Sequence, residues 1–288
     1  MSDIKNKSNI VAIIVAYNSN PNRLNSLLTA VSICNVGVIV ADNSENVACN
    51  RVIQKITEFH NGTYICMNGN KGIAIAKNTA ISKAWSLGAN YSLLLDDDST
   101  LIPGMIERLQ SALESVFSEM VVFGARTVDM TGKDISNARP NGSYLTLCRD
   151  MNSSGTLISR EIFEVVGKFD ESLFIDCVDF DWGWRALQRG FKLVLVDDAK
   201  LEHRLGVRTI GMLRIPSPIR HYYQYRNVLR LMVRSYTPLK WTLMQSIKLI
   251  AKLVLILIMM DHRRDRLKYA FLGIIDAFRS NGGKYSYK

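Results

Sequence analysis

The segment Leu93-Leu94-Leu95-Asp96-Asp97-Asp98 places three adjacent acids directly after an apolar run. A short apolar run is typical of a buried strand, so the acids would lie at the exposed end of that strand. Neighbouring carboxylates repel one another, and a divalent cation with oxygen ligands would stabilise them and hold a diphosphate. A solvated acidic turn before a helix with Pro103 in its first turn explains the same residues. The sequence alone leaves both interpretations open.

A second pair of acids, Asp179 and Asp181, falls near the start of a predicted helix that ends at Gly190. The dipole of a helix favours negative charge in its first turn, so capping explains one of these acids well. Capping does not explain why Trp182 and Trp184 crowd beside them, and we therefore favour a functional role for Asp179. Either tryptophan offers an apolar face to a sugar ring, but packing in the core explains both at least as well.

The elements that must position these acids alternate between strands and helices. The predicted strands cover residues 10–17, 36–41, 64–67, 91–95, 121–124 and 191–196. One predicted helix begins at Pro21, and the others cover about 47–59, 73–85, 106–116 and 160–166. This rhythm predicts an open parallel sheet with helices on both faces. Ligands of such sheets bind at the carboxyl ends of the strands, where this chain carries Asn18, Asp42, residues 68–72 and the three acids.

The usual glycine-rich phosphate loops are missing after the first predicted strand, which argues against a dinucleotide or P-loop site. Phosphate would then be held by a metal or by side chains. His203 follows a predicted strand and is a candidate metal or diphosphate contact, but only if the fold returns it to the acids. A lone histidine is more often a surface or packed residue.

Composition separates the chain into two parts of different charge. Residues 1–200 carry 19 basic and 22 acidic side chains, whereas residues 201–288 carry 17 basic and 4 acidic ones. The basic part should contact an anionic partner. The five cysteines are odd in number and form no CxxC pair, which indicates reduced thiols in a cytosolic compartment. Residues 1–9 are polar, so no secretory signal is expected.

The basic part contains two predicted amphipathic helices. Residues 241–260 are largely apolar, but two lysines interrupt the run that a membrane span requires. One stripe at helical spacing comprises Trp241, Gln245, Lys248 and Lys252, and a second helix carries Leu267, Phe271, Ile274 and Phe278. Basic amphipathic helices lie in the interface of anionic membranes, which is the interpretation we favour. The alternative is a helical bundle that packs on the first part of the chain or forms a dimer contact.

A basic and aromatic segment leads into this tail. It comprises Arg220, Tyr222, Tyr223, Arg226, Arg230 and Arg234. These side chains are candidates for binding the pyrophosphate of an acceptor. An ordinary junction between a helix and a domain explains them equally well.

The order of the motifs resembles family 2 glycosyltransferases of the GT-A fold. The resemblance is carried by Val15-Ala16-Tyr17-Asn18, Asp42-Asn43-Ser44, Asn70-Lys71-Gly72, Asp96-Asp97-Asp98, Asp179-Phe180-Asp181-Trp182 with Arg185, and His203 with Gly206. The segment Ser217–Asn227 is similar to the bacterial rhamnosyltransferase-like branch, and the resemblance covers about residues 8–230. Asp97 and Asp181 stand where that branch often has Gln and Glu, so UDP-sugars stay open as donors beside dTDP-rhamnose.

The resemblance implies an α/β protein of the GT-A fold, with a Rossmann-like, mostly parallel sheet flanked by helices and a C-terminal helical membrane-associating extension. Residues 1–215 would form the nucleotide-sugar-binding catalytic domain. Residues 216–288 would form the basic amphipathic helices that contact the membrane and the acceptor.

The resemblance also implies roles for individual residues. Asp179 matches the catalytic base, and Asp98 with His203 would bind Mg²⁺ or Mn²⁺ that bridges the donor diphosphate. Asp42 would face the nucleotide base, and Asp96 the ribose. The implied donor-binding residues are Ala16, Tyr17, Asn18, Asp42, Lys71, Gly72, Asp96 and Asp97. The candidate acceptor-binding residues are Trp182, Trp184, Arg220 and Tyr222.

The implied reaction is an inverting transfer of a hexose from a nucleotide sugar, with dTDP-rhamnose as the leading donor. The implied acceptor is a lipid-linked glycan of bacterial cell-surface polysaccharide synthesis. Such an enzyme would be a peripheral protein on the cytoplasmic face of the plasma membrane, bound to its anionic surface. A homodimer contact is the alternative use of the tail.

Other functions fit the residues less well. A sugar nucleotidyltransferase would need a glycine-rich loop with Arg and Lys after the first strand, and residues 15–21 provide none. A nucleic-acid-binding protein would interleave aromatic residues along an exposed basic groove, so no nucleic-acid partner is expected. A noncatalytic membrane scaffold would leave the acids of the first part without a role.

Overall fold

The computed structural model describes residues 9–116, 120–203, 209–210, 213–214, 216–279 and 281–286. Its strands are β1 (Ile10–Ala16), β2 (Gly37–Asp42), β3 (Thr63–Cys66), β4 (Tyr91–Asp96), β5 (Ser99–Leu101), β6 (Val121–Val128), β7 (Leu145–Cys148), β8 (Thr156–Ser159), β9 (Lys192–His203), β10 (Thr209–Ile210) and β11 (Leu213–Arg214). Its helices are α1 (Pro21–Ile33), α2 (Val47–Phe59), α3 (Ile73–Ser86), α4 (Met105–Ser115), α5 (Arg160–Val166), α6 (Val178–Gln188), α7 (Arg220–Met232), α8 (Leu239–Ile258) and α9 (Arg263–Phe278).

Within the described ranges, the main sheet has nine strands, in the order β3-β2-β1-β4-β8-β6-β9-β5 with β7 also paired to β9. The half built from β1 to β4 is parallel, as the sequence predicts. The other half is mixed, because β8 runs antiparallel to β4 and β6, while β9 is parallel to β6 and antiparallel to β5 and β7. Strands β5, β7 and β8 are three or four residues long, too short to give a periodic signal in the sequence.

Strand β1 is buried on both faces of the sheet, which explains its almost unbroken apolar sequence. Val11 and Ile13 belong to the core on the side of α3 and α6. Ala12 and Ile14 belong to the core on the side of α1 and α4. The two layers of helices therefore hold the carboxyl ends of β1, β2 and β4 at one edge of the sheet.

Strand β9 continues to His203, beyond the end predicted at residue 196. The β6–β9 register shifts between Ala125 and Arg126, and Arg126 pairs with Lys200. The side chain of Arg126 is buried at this irregularity and forms ion pairs with Asp197 at 2.7 Å and Asp134 at 2.8 Å. Because β9 continues, its last residue lies opposite Ser99 of β5, next to the acidic turn after β4.

Helix α7 fixes the loop that precedes α6. The Asn227 amide donates hydrogen bonds to the carbonyl oxygens of Leu173 at 2.7 Å and Ile175 at 2.6 Å. The Arg226 guanidinium donates to the carbonyl oxygen of Leu173 at 3.0 Å. Both side chains belong to fully buried residues. The loop has an unusual backbone, since Phe174, Asp176 and Cys177 have φ values of 63°, 62° and 65°.

Helix α8 has two different faces. Trp241 and Leu249 pack into the core that α3 and α6 also form. The opposite face is apolar and exposed, with Leu243, Ile247 and Ile250 exposed to 58%, 68% and 65%. By length and composition, α8 is long and apolar enough to cross a membrane. Within its most apolar 18-residue window, 17% is buried inside the protein.

The C-terminal helices share a core with the sheet. Tyr225 and Leu231 of α7, Trp241 of α8 and Ala270 of α9 all belong to the cluster that contains Ile13 of β1. The described part of residues 216–288 is therefore packed on the rest of the molecule. The predicted division into 1–215 and 216–288 stays a prediction, and residue 215 lies outside the described residues.

Helices α7 and α9 cross so closely that Gly273 of α9 has no room for a side chain. A Cβ atom there would lie 2.4 Å from the carbonyl oxygen of Tyr222. We expect Gly273→Ala to lower the free energy of unfolding by about 1–3 kcal/mol, because the backbones must separate. Chemical denaturation would measure the change.

Gly183 of α6 provides the matched control, since its Cβ would meet only the side-chain Cδ1 of Leu193 at 3.3 Å. Gly183→Ala should change stability little. The higher helix propensity of alanine contributes up to about 1 kcal/mol, and this gain offsets the cost of the close contact with Leu193. Equal effects of the two substitutions would contradict the close crossing of α7 and α9.

Candidate active site

The acids after β4 meet His203 at the carboxyl edge of the sheet. The potential ligand atoms of Asp96, Asp98 and His203 all lie within 4.8 Å of one another. The pairing of Ser99 with His203 produces this arrangement, because it brings the end of β9 beside Asp98. The fold thus meets the condition on which the sequence-based role of His203 depends.

One nitrogen of the His203 ring lies close to the acids. Among the described residues its Nδ1 atom is buried and has no hydrogen-bond partner, and it lies 3.4 Å from Oδ1 of Asp98. Two carboxylates and an imidazole suit a divalent ion such as Mg²⁺ or Mn²⁺. The residues present therefore fit the metal that the sequence implies.

Charge accumulates strongly at this cluster. Burial raises the pKa of Asp96, and the nearby carboxylates of Asp179 and Asp98 raise it further, against Lys77 and His203. Asp98 and Asp179 both contribute to this shift, so both carboxylates lie near Asp96. A bound cation would offset their repulsion.

Asp97 does not join the cluster but connects two loops. Its Oδ2 atom accepts hydrogen bonds from the Ser19 hydroxyl and from the Tyr17 amide, the latter at 3.3 Å. Burial raises the pKa of Asp97 to about 6, although both hydrogen bonds oppose the shift. Asp97 therefore holds the loop after β1 against the turn after β4.

The last residue of β1 and the loop after it contain three of the predicted donor-binding residues. The Ala16 carbonyl oxygen accepts a hydrogen bond from the Asn43 amide at 2.8 Å. Asn18 has φ 50° and donates its amide to the Ser44 hydroxyl at 2.8 Å. Tyr17 is 46% exposed and presents an aromatic side chain close to the acids.

Asp42 is completely buried, and the protein itself satisfies its carboxylate. Oδ1 accepts from the Ser44 amide at 2.9 Å. Oδ2 accepts from the side-chain amide of Asn50 at 2.7 Å and from the Tyr64 hydroxyl at 2.9 Å. The predicted contact of Asp42 with a nucleotide base would thus require an exchange of hydrogen-bond partners.

Lys71 and Gly72 lie in the loop before α3. The Lys71 amide donates to Oδ1 of Asn43 at 3.2 Å, and its side chain is exposed. Gly72 has φ 92°, and a Cβ atom there would lie 2.6 Å from Cδ2 of Phe174. The following amide, of Ile73, donates to the carbonyl oxygen of Phe174 at 2.8 Å. The loop before α3 is therefore in direct contact with the loop before α6.

Asp179 stands in the first turn of α6, with one carboxylate oxygen bound on each side. Oδ1 lies 3.0 Å from the Lys77 ammonium, and Oδ2 accepts from the Ser153 amide at 3.3 Å. The side chain of Lys77 is 3% exposed, whereas that of Asp179 is 34% exposed. The carboxylate is held in a fixed orientation and is still accessible from solvent.

Two adjacent serines connect the acid groups. Ser153 contacts both Asp179 and Lys77, while the Ser154 hydroxyl accepts a hydrogen bond from the Asp96 amide at 3.0 Å. Neither Lys77 nor these serines were predicted as site residues from the sequence. Lys77 had one signal, since it is a charged residue within the otherwise apolar start of α3.

Asp181 has a structural environment. It is fully buried and forms ion pairs with Arg185 at 2.9 Å and with Arg234. The Tyr236 hydroxyl also donates to it. Asp181 therefore connects α6 to the end of α7, in contrast to the partly exposed Asp179.

The four predicted acceptor-binding residues are not brought together at the acids. Trp182 and Trp184 are 3% and 2% exposed, and their indole nitrogens donate to the Gly167 carbonyl and to Asp150. Tyr222 is 2% exposed and donates to Asp276 at 2.7 Å. Arg220 is more accessible and binds both oxygens of Asp176. Their role in acceptor binding stays a prediction, and these burial values do not favour it for the first three.

Comparison with known proteins identifies the family of this chain. A family model described as glycosyl transferase family 2 matches residues 11–166, more than half of the chain. The dTDP-rhamnosyl transferase RfbF of Shigella flexneri is 30% identical over 303 aligned positions, covering 97% of this chain and 99% of the relative.

Solved structures show a similar fold. A crystal structure of TarS residues 1–349 from S. aureus has a TM-score of 0.59 at 13% identity, covering 93% of this chain and 80% of that fragment. The mannosyltransferase PcManGT of Pyrobaculum calidifontis, in complex with GDP-Man and Mn²⁺, has a TM-score of 0.56 at 12% identity, covering 96% and 88% of the two chains. These likenesses confirm the predicted GT-A fold.

Proposed function

This chain belongs to glycosyl transferase family 2, and within that family we propose that it is an inverting rhamnosyltransferase with dTDP-rhamnose as its donor. The glycosyltransferase activity and a nucleotide-sugar donor follow from the family match and the relative. The observation that carries the choice of donor is the 30% identity to a dTDP-rhamnosyl transferase over 97% of the chain. The proposed acceptor is a lipid-linked glycan of bacterial cell-surface polysaccharide synthesis.

Asp98 and His203 are the proposed ligands of Mg²⁺ or Mn²⁺. The unpartnered Nδ1 of His203, among the described residues, and its short distance to Asp98 support this role. Asp96 lies within reach of the same ion, beside its implied contact with the ribose. When bound, the ion would stabilise the negative charge that develops on the leaving nucleoside diphosphate.

Asp179 is the proposed catalytic base. As the acceptor oxygen forms its bond to the anomeric carbon, the bond from that carbon to the diphosphate breaks, and the hydroxyl proton passes to the Asp179 carboxylate. One displacement of this kind inverts the anomeric carbon. The contacts with Lys77 and Ser153 support the role, since they orient a carboxylate that is still 34% exposed.

The proposed donor contacts surround these acids. The exposed Tyr17 and Lys71, the polar Asn18 and the backbone of Ala16 and Gly72 line two neighbouring loops. Asn43 supports their closeness through three hydrogen bonds. Its backbone amide donates to the Ala16 carbonyl, its side-chain amide donates to the Gly72 carbonyl, and its Oδ1 accepts from the Lys71 backbone amide. Asp97 would contribute by holding the Tyr17 loop in place.

The exposed apolar face of α8 is the proposed membrane contact. Five side chains form a stripe on it, namely Leu243, Ile247, Ile250, Val254 and Leu257. Lys240, near the start of α8, and the Arg263–Arg264 pair that opens α9 supply positive charge near its ends. Apolar faces with basic flanks bind anionic membranes, which supports a peripheral position on the cytoplasmic leaflet.

The donor and the metal can be tested in one assay. We expect transfer or hydrolysis with dTDP-rhamnose in the presence of Mn²⁺ or Mg²⁺, lower rates with UDP-sugars, and loss of activity with EDTA. Asp98→Asn should lower the rate at least about 100-fold, since a metal contributes several kcal/mol to the transition state. Asp198→Asn, at an exposed acid of β9, is the control. A preference for a UDP-sugar would overturn the choice of dTDP-rhamnose as the donor. Full activity in EDTA would overturn the proposed metal dependence.

A substitution of Asp179 would distinguish donor binding from the chemical step. Asp179→Asn should lower transfer about 10²- to 10⁴-fold, because no carboxylate then accepts the proton, while donor affinity stays nearly unchanged. Activity assays and donor titration would measure the two effects. Asp181→Asn should instead lower the melting temperature, because that residue is fully buried between two arginines. Lost donor affinity in Asp179→Asn would assign that residue to the donor.

The stripe on α8 can be tested without deleting the helix, whose other face belongs to the core. Replacement of Leu243, Ile247 and Ile250 by Gln should weaken sedimentation with phosphatidylglycerol vesicles more than about tenfold, because buried apolar area is lost. The control replaces Ile33, Phe59 and Val165, exposed to 79%, 79% and 58%, in the same way. Unchanged vesicle binding, or conversion of a dimer to a monomer, would contradict the membrane contact.

A further inference from the structure

A groove lies between α8 and the beginning of α6. Its volume is about 380 Å³, and its walls include Cys177 and Phe180 on one side and Trp241, Lys248 and Lys252 on the other. A second groove of about 590 Å³ continues it along α8 and shares Phe180, Trp241 and Lys248. Volumes of this size are typical of sites for small ligands.

The groove carries an excess of positive charge. Lys248 and Lys252 lie one turn apart on α8, a spacing at which like charges repel. The acid of the groove, Asp176, already binds Arg220 at 2.7 Å. Lys252 donates to the amide oxygen of Gln224 at 2.7 Å, a neutral partner. In the part of the chain that the structure describes, neither lysine forms an ion pair with an acid.

Two further observations favour an anion in the groove. Burial lowers the pKa of Lys252, the nearby Asp176 carboxylate opposes this shift, and Arg220 and Lys248 add to it. A further anion in the groove would therefore favour the charged form of Lys252. The indole nitrogen of Trp241, a residue of the groove wall, is buried without a hydrogen-bond partner among the described residues. A ligand oxygen would satisfy such a donor.

The groove lies between the proposed membrane contact and the proposed base. The exposed apolar stripe and the two lysines belong to the same helix, α8. Cys177 and Phe180 flank Asp179 in sequence, within one helical turn. The walls of the groove are therefore formed by the helix of the proposed membrane contact and by the start of the helix that carries the proposed base.

We propose that this groove binds the diphosphate of a lipid-linked acceptor through Lys248 and Lys252. The proposal rests on the proposed function, because only a transferase with a lipid-linked acceptor needs such a contact. In the basic segment 220–234, two of the arginines are already bound by the protein itself. Arg226 is fully buried and bound to carbonyl oxygens, and Arg234 is paired with Asp170 and Asp181.

Farnesyl diphosphate is a soluble probe of this site, and farnesol is its uncharged counterpart. Calorimetry with the full chain should detect binding of the diphosphate and much weaker binding of the alcohol. Lys248→Gln with Lys252→Gln should weaken diphosphate binding about tenfold or more, because charge-assisted contacts are lost. Arg264→Gln with Lys268→Gln removes the same charge from exposed positions of α9 and should leave this affinity unchanged.

A vesicle assay separates an acceptor diphosphate from lipid head groups. The groove variant, Lys248→Gln with Lys252→Gln, should retain binding to phosphatidylglycerol vesicles. The α9 variant, Arg264→Gln with Lys268→Gln, should lose part of this binding. Loss of vesicle binding by the groove variant, or equal affinity of the variant and the wild type for farnesyl diphosphate, would overturn the proposal.

Hydrolysis of dTDP-rhamnose separates this proposal from the proposed function. The groove variant should hydrolyse the donor at the wild-type rate. A wild-type chain that hydrolyses the donor but does not bind farnesyl diphosphate would overturn the groove alone. A chain that binds farnesyl diphosphate at these lysines but does not turn over any nucleotide sugar would overturn the proposed function and leave the groove supported.

Discussion

The position of Asp179 depends on hydrogen bonds between α7 and the loop that precedes α6. Three residues of that loop have left-handed backbone conformations, each of which costs about 1 kcal/mol or more for a residue with a side chain. The buried amide of Asn227 and guanidinium of Arg226 bind the carbonyl oxygens of the same loop and stabilise it. A buried carbonyl without such donors would be costly. The C-terminal part of the chain is therefore required to shape the site, whatever it contacts outside the protein.

A second constraint joins the two groups of acids. Ser153 and Ser154 are consecutive, and one contacts Asp179 while the other binds the amide of Asp96. Their loop leads into β8, which is antiparallel to β4 and inserted between β4 and β6. The antiparallel strand thus connects Asp179 of α6 with the acids that follow β4. A purely parallel sheet would not make this connection at the same place.

Much of the first half could be predicted from the sequence, because long apolar runs and helical stripes are strong local signals. Helix α2 coincides with the predicted 47–59, and the acids stand at the end of β4 as expected. The short strands β5, β7 and β8 could not be found, since their pairing is set by distant contacts. For the same reason the sequence indicated that His203 would matter only if the fold returned it, and could not show that β5 does so.

Side-chain roles were harder to predict than positions. Trp182 and Trp184 attracted attention as bulky neighbours of acids, but a local sequence cannot distinguish a sugar platform from a residue that packs against Phe163 or Trp241. Lys77 was missed because a single lysine in a helix is usually solvated, whereas here it is buried against Asp179. The C-terminal helices are compatible with both predicted alternatives, a membrane contact and packing on the rest of the chain, since one face of α8 packs on the protein and the other is exposed.

The contact between Gly72 and Phe174 limits how this enzyme can be re-engineered. Any side chain at position 72 would collide with Phe174, and the amide after it is bound to the Phe174 carbonyl. A designer who grafts the 68–72 loop of another transferase, to change the preferred sugar nucleotide, would also have to transplant the 172–177 segment. The two loops form one exchangeable unit, although about a hundred residues of sequence separate them.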